Sequence, residues 1–306
     1  MMKMRKLNYS LAILSLSAIG GSTLAQAIPQ EPSVHAVKVV GNIYMIEGSA
    51  DPEALSSGDL SNFSGGNIGL SIGADGVLIV DAKMAVFADK IKAAIKDLGG
   101  GSPKFILDTH SHDDHVNGNP KFRRDGTIIS HVNARARIKQ EKPAEYWPVI
   151  TFDHTLSIHL NGEEIRALHY PSGHTDGDVV VHFVSSNVVH MGDLYFSGYL
   201  PYVDLDSGGT VQGYMDNVKS VLDTIDETTR IIPGHGPVSS RGDLQTYYRL
   251  FRETTSLVTE QMHAGKSLDQ IKEAGLQPEW ESWSWFLITP DKWIETIYRS
   301  YSDSQP

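Results

Sequence analysis

Cysteine is absent from this 306-residue chain. No disulfide can staple the fold, so the apolar core must hold it unaided. No thiolate is on hand as nucleophile or metal ligand either. Positive charge is scarce: 26 Lys and Arg stand against 37 Asp and Glu, a formal net charge of −11. No basic stripe follows the first few residues. An acidic field repels phosphate backbones and anionic lipid at long range, so nucleic acid and membrane surfaces are not expected partners. A small neutral or cationic molecule is compatible with it. Long apolar runs are missing too. The longest near the N-terminus, Leu11 to Gly20, is too short to span a bilayer comfortably.

That run has its own reading. Lys3, Arg5 and Lys6 precede it, and Ala25-Gln26-Ala27 follows it as an A-x-A cleavage site. Residues 1–27 are expected to be a signal peptide, with a mature domain over 28–306 and no membrane anchor after cleavage. The location implied is the periplasm or the medium. Removing those three cations takes the net charge from −11 to −14.

Within the mature part, His35 to Gly48 reads as a strand pair turning at Gly41-Asn42. Residues 49–66 are polar and Gly/Ser-rich, an exposed loop. Asn67–Ile72 and Val77–Val80 are short strands. Apolar Val86, Ile91, Ile95 and Leu98 mark a helix that stops at Gly99. Phe105–Leu107 and Thr127–Ile129 are strands, with helical stretches near Val116 and Ala134–Ile138. Leu156–Leu160 and Ile165–Tyr170 pair across Asn161-Gly162, and Val179–Val184 pairs with Asn187–Met191. Helices follow over Val211–Ile225, Gly242–Met262, Ser267–Glu273 and Asp291–Tyr301, with a strand at Arg230–Ile232. No internal repeat or dividing linker is visible. Strands interleaved with helices fit two sheets packed face to face with helices outside.

The chemistry concentrates at residues 108–116, DTHSHDDHV. His110, His112, Asp114 and His115 follow a buried strand at once. Alternate positions of a strand-end loop can turn the same way, so His110 and His112 can hold one ion while Asp114 and His115 face a second. Imidazole and carboxylate are ordinary ligands for zinc, less often for iron or manganese. Three later segments share one layout, an apolar strand and then a ligand type among small residues: His174 in YPSGHTDGD, Asp193 in VVHMGDLYF and His235 in RIIPGHGPV. Glycines there allow close backbone approach. Asp81, at the end of Val77–Val80, reads either as a carboxylate that orients a ligand histidine or as a plain strand cap. His182 and His190 read as satisfied core imidazoles. His35, His131, His154, His159 and His263 have no partner pattern, and His169 is a weaker candidate for a place behind the ligands.

The assembled pattern resembles the metallo-β-lactamase superfamily, whose H-x-H-x-D-H signature stands here as His110-Ser-His112-Asp-Asp114-His115. The likeness runs most clearly from about Gly41 to His235. It implies an α/β fold, a four-layer αββα sandwich of two mixed, mostly antiparallel sheets with outer helices. It implies two zinc ions: His110, His112 and His174 on the first, Asp114, His115 and His235 on the second, Asp193 bridging. Asp114 would also orient the attacking water. The activity implied is hydrolysis of an activated carbonyl in an ester, lactone, thioester or amide, with no serine nucleophile elbow needed.

Glyoxalase-like thioesterases and several lactonases of that superfamily carry the bridging Asp, where zinc β-lactamases place Cys or Ser. Export keeps a periplasmic β-lactamase as the alternative. The segment Leu194 to Gly209 resembles exported or quinoprotein-associated members. A non-catalytic periplasmic metal or small-molecule binding protein is the alternative of another class. An iron redox module fits less well, because flavodiiron-type relatives carry Glu where His112 stands. Expected pocket walls are the 49–66 loop with Phe63, then Tyr195, Phe196, Tyr199 and Tyr202, with Trp283, Trp285 and Phe286 divided between pocket and core. No lysine stands near the ligand motifs to pair with a substrate carboxylate; the next after His174 is Lys219.

Overall fold

A computed structural model describes residues 34–48 and 65–302. The expected signal peptide and most of the 49–66 loop, Phe63 included, lie outside the described residues. Strands β1 (Ala36–Val40) and β2 (Ile43–Ile46) form the expected hairpin, with Val37 opposite Met45. β3 (Ile68–Gly73) and β4 (Gly76–Val80) continue it antiparallel. β5 (Pro103–Leu107), β6 (Thr127–His131) and β7 (Ile150–Phe152) then add in parallel, giving a seven-stranded sheet in sequence order. Parallel neighbours need crossovers. Helix α1 (Ala88–Asp97) links β4 to β5, the short α2 (Asp113–Val116) and α3 (Asn119–Phe122) link β5 to β6, and α4 (Val132–Glu141) precedes β7.

The second sheet has six strands in the order β13-β12-β11-β10-β9-β8. β8 (Thr155–Leu160) and β9 (Glu163–His169) turn at Asn161 and Gly162, whose φ values of 58° and 74° suit a tight hairpin. β10 (Val179–Phe183) and β11 (Val188–His190) follow antiparallel. Helix α5 (Val211–Thr224) carries the chain back to β12 (Arg230–Ile232), parallel to β11, and β13 (Ser239–Ser240) closes the edge. α6 (Arg241–His263) starts on a capping box of Ser240 and Asp243. α7 (Leu268–Ala274), α8 (Pro278–Glu281) and α9 (Pro290–Ser302) end the described chain.

Side-chain alternation sorts these strands into layers. Leu78 and Val80 join Leu107, Val179, Val181 and Ile232 in a core between the sheets. Their neighbours Val77 and Ile79 point the other way, onto Ile91 and Ile95 of α1 and Phe122 of α3. On the far side Val180, Val189 and Ile231 pack against α5, α6 and α9. Strands covered on both faces read as continuous apolar runs, as VLIV and VVV do here. The result is the αββα sandwich expected.

Two local expectations change. Val86 is 78% exposed while Phe87 is buried. The first turn, Ala85–Phe87, is a 3₁₀ turn with three residues per turn, which rotates Phe87 inward in its place. The sequence reading also lacked β7, β13, α3 and α8, all of two to four residues, too short for either period to register.

Candidate metal centre

The loops that follow β5, β9, β11 and β12 meet at one edge of the sandwich. There the structure gathers all seven side chains expected from the sequence. His110, His112, His174 and Asp193 form one group, and Asp114, His115 and His235 a second, with the ligand atoms within 4.8 Å of one another in each. Asp193 stands between the groups. Its Oδ2 is 3.5 Å from His174 Nε2 and 3.8 Å from His110 Nε2. Its Oδ1 is 3.0 Å from His115 Nε2 and 3.4 Å from His235 Nε2. Asp114 Oδ2 lies 3.2 Å from His235 Nε2 and 3.5 Å from His115 Nε2.

The backbone makes this approach feasible. A Cβ on Gly66 would lie 2.1 Å from the His115 ring, and one on Gly234 would lie 2.0 Å from Asp193 Oδ1. Both positions admit only glycine at this spacing. Asn67, fully buried at the start of β3, clamps the His235 loop. Its Nδ2 donates to Pro233 O (2.9 Å) and Gly236 O (2.8 Å), and its own N–H to Gly234 O (2.7 Å). Its Oδ1 accepts from Gly48 N–H.

Behind the cluster, hydrogen bonds aim the rings. His115 Nδ1 is 2.8 Å from Asp81 Oδ2. The Thr109 hydroxyl donates to the same oxygen and lies 2.9 Å from His110 Nδ1. Asp81 thus does what the sequence suggested, and reaches a second imidazole through Thr109. It takes a left-handed conformation, φ 69°, to do so. His112 Nε2 pairs with Asp204 Oδ2 at 2.9 Å, and His174 Nδ1 with Tyr202 O at 2.8 Å. With those nitrogens as donors, the opposite nitrogens turn lone pairs inward, and His112 Nδ1 comes 2.8 Å from His174 Nε2. Burial holds the His110 imidazole well below its ordinary range and lowers His174 to about 4, His112 adding to the effect, so both rings are neutral donors. His110 Nε2 is buried without a hydrogen-bond partner, and His115 Nε2 and Asp193 Oδ1 face each other at 3.0 Å. Outweighing burial, the neighbouring carboxylates raise His112, His115 and, to about 9, His235; the orphaned nitrogen, the two neutral imidazoles and this converging negative charge fit a cation.

A cavity of about 480 Å³ opens over this cluster, bordered by Phe196, Tyr202, Trp285, Phe286 and Leu287. Phe196, Tyr202, Trp285 and Phe286 are where the sequence reading expected a wall. Tyr195 is not: it is 1% exposed, its hydroxyl turned to Ser197. Tyr199 reaches the site only through Trp285, and Trp283 packs on Tyr247. His190 is buried and accepts from Gly192 N–H, but its Nε2, like that of the half-buried His182, finds no hydrogen-bond partner, so neither is the satisfied core imidazole expected. His169 stacks on His131 at 3.6 Å, away from the ligand set. A lysine does come close: Lys83, fully buried, donates to the carbonyls of Gly65 and Gly66, beside Asp114. It faces the backbone and does not open to the cavity. The letters G-x-S-x-G occur at Gly69 to Gly73, but inside β3, where Ser71 is buried and accepts from Asn161. No strand-to-helix elbow presents that serine. Asp204, Thr109, Asn67 and Lys83 carry no motif of their own, so only the fold reveals them.

A two-sheet αββα sandwich with a His/Asp cluster of metal-binding type at its strand ends defines a metallo-hydrolase architecture. The model of the metallo-beta-lactamase superfamily matches residues 62–235, and the chain belongs to that superfamily. It is similar to the Bacillus subtilis (strain 168) protein named "Probable metallo-hydrolase YqgX", 28% identical over 182 residues, covering 52% of this chain and 83% of that one. It is also similar to a hydroxyacylglutathione hydrolase of Pelagibacter ubique (strain HTCC1062), 28% identical over 137 residues, 43% of this chain and 51% of that protein. Among solved structures, a metallo-beta-lactamase from Pontibacter korlensis superposes with a TM-score of 0.61 over 72% of this chain and 99% of that one, at 15% identity. That likeness is one of fold.

Proposed function

We propose that the chain is an exported hydrolase with two zinc ions, acting on an activated ester or lactone. The observation that carries the reading is Asp193, with one carboxylate oxygen toward each group of imidazoles. His110, His112 and His174 would hold the first ion and Asp114, His115 and His235 the second, with Asp193 shared. Seven ligands exceed what one tetrahedral zinc takes. When bound, such a pair supplies the Lewis acidity that acidifies water and polarises a carbonyl. The chain's own residues then orient and shield. Asp114, open on its cavity side, would accept a hydrogen bond from the attacking water and fix its direction. Phe196 and Trp285 exclude bulk solvent from the reacting carbonyl. Asp81, Thr109 and Asp204 keep the imidazoles aimed. The relative named a hydroxyacylglutathione hydrolase supports acyl transfer to water.

The test joins metal content to turnover. Elemental analysis should find close to two metals per chain. A panel of aryl esters, lactones, a glutathione thioester and β-lactams should then show ester or lactone hydrolysis, with β-lactam turnover weak or absent. Saturation at one metal refutes the paired centre. Efficient β-lactam hydrolysis without ester activity would make this a β-lactamase.

A further inference from the structure

The cavity over the cluster has a one-sided chemistry. One wall is a continuous run of aromatic rings. Phe196 stacks on His235 with ring centres 5.1 Å apart and planes 5° from parallel. Trp285 lies 5.5 Å from Phe196, and Phe286 5.2 Å from Trp285. The Trp285 ring is fixed, its Nε1–H donating to Leu200 O at 2.8 Å. Leu287, 46% exposed, extends the apolar edge to solvent. A flat group lying on this wall runs from the His235 side outward to the rim.

Charge at the rim is of one sign. Asp113 and Glu141 border the cavity, and no Lys or Arg does so among the described residues. Lys142 is engaged with Asp113 at 2.5 Å, and Arg137, whose guanidinium feels Glu141, is held by Asp176, which leaves Glu141, exposed at the end of α4, without a salt bridge of its own among the described residues. Lys83 is sealed beneath Gly65 and Gly66. The stretch 49–64 contains Asp51, Glu53 and Asp59 but neither Lys nor Arg, so it has no cation to bring. Beyond the metal ligands, no Lys or Arg described in this pocket can form a salt bridge with a substrate carboxylate.

We infer that the pocket selects aryl-bearing acyl substrates without negative charge, with a cationic end facing Glu141 preferred over a neutral one. This rests on the hydrolase reading above. An aromatic face attracts a cation, and Glu141, exposed at the rim, adds a water-screened pull of the same sign. An anionic end meets Glu141 with no counter-charge. Substrates that carry free carboxylates, the glutathione thioester and the β-lactams among them, are disfavoured on this ground.

The experiment uses the metal-replete enzyme and three aryl esters with one shared leaving group. Their acyl rings carry, through a methylene, a trimethylammonium, a methyl or a carboxylate, and each enzymatic rate is divided by that ester's own hydroxide-catalysed rate to remove the difference in intrinsic reactivity. The cationic ester should exceed the carboxylate by about tenfold or more in kcat/KM, with the difference in KM, because the distal group binds equally in ground and transition states. Glu141→Lys should invert the order, and Trp285→Ala should raise KM for all three. Equal kcat/KM across the series, or a lead for the carboxylate, overturns the inference. If no ester turns over, the hydrolase reading fails instead. Titration calorimetry then decides selectivity alone: benzyltrimethylammonium should bind more tightly than phenylmethanesulfonate, and Glu141→Lys should remove that preference. Tighter sulfonate binding to the wild type refutes it.

Discussion

Asp204 takes the Nε2 side of His112 and so determines which nitrogen of that ring faces the cluster. Asp204→Ala should therefore leave the fold intact yet weaken the metal on the His110 side by about 10- to 100-fold, the usual cost of losing such a partner. Competition with a chromogenic chelator measures it; unchanged affinity would show that the ring is aimed by packing alone. Gly234→Ala is a sharper test of space. Its Cβ would fall 2.0 Å from Asp193 Oδ1, so the carboxylate must move. We expect loss of both metals with unchanged circular dichroism. Normal stoichiometry in this variant would contradict the shared role of Asp193.

At the scale of elements, the loop after β12 is tied to β3 by Asn67, which makes four hydrogen bonds from a fully buried position. Asn67→Ala removes three of them and strands the carbonyls of Pro233 and Gly236 and the Gly48 N–H. A cost of about 3 kcal/mol is expected at one or more per stranded group, read by denaturant unfolding, with weakened binding of the His235-side metal. A loss below about 0.5 kcal/mol would mean that water replaces the amide. Neither end of this tie is conspicuous in sequence. Asn67 precedes an ordinary apolar strand, and its partners are backbone carbonyls 166 and 169 residues away. By contrast the H-x-H-x-D-H cluster is legible because its ligands are adjacent in the chain, and Asp81 because a carboxylate at the end of an apolar strand has few other uses.

Across the whole molecule, buried titratable groups couple stability to solution conditions. Burial, with Arg166 adding to it, lowers the His182 imidazole to about 4. The unfolded chain takes up this proton near pH 6.5 and the folded one only near 4. His182 thus contributes stability above pH 6.5, and that contribution falls away as pH drops toward 4, at no more than about 1.4 kcal/mol per pH unit. His182→Gln should flatten the thermal-melting profile across this window; an unchanged profile assigns the acid sensitivity elsewhere. Metal binding acts in the same sense. Chelator dialysis should lower Tm, because ligands that bind only the folded state stabilise it by about 4 kcal/mol at a thousandfold excess over Kd. Export is tested by N-terminal sequencing of protein from the cell envelope, which should begin at Ile28; an intact Met1 refutes it.

Local order in the sequence determined most elements and most of the metal-ligand candidates. Apolar periodicity is written residue by residue, and His110, His112, Asp114 and His115 share one strand-end loop. Linking them to His174, Asp193 and His235 as one centre required the resemblance to a known superfamily, because each of those segments carries only a weak local pattern, an apolar strand followed by a ligand type among small residues. The tertiary structure alone decided which oxygen of Asp193 faces which imidazoles, that Asp204 and Asn67 position the ligands, and that Tyr195 packs inward while Trp285 and Phe286 form a wall. It also showed that Lys83, two residues beyond the strand-end carboxylate, is turned into the interior, away from the cavity. The physical reason is common to all of these: direction. A sequence records which groups a chain carries, but the facing of a carboxylate oxygen, an imidazole lone pair or an indole ring is set by contacts between segments far apart along the chain.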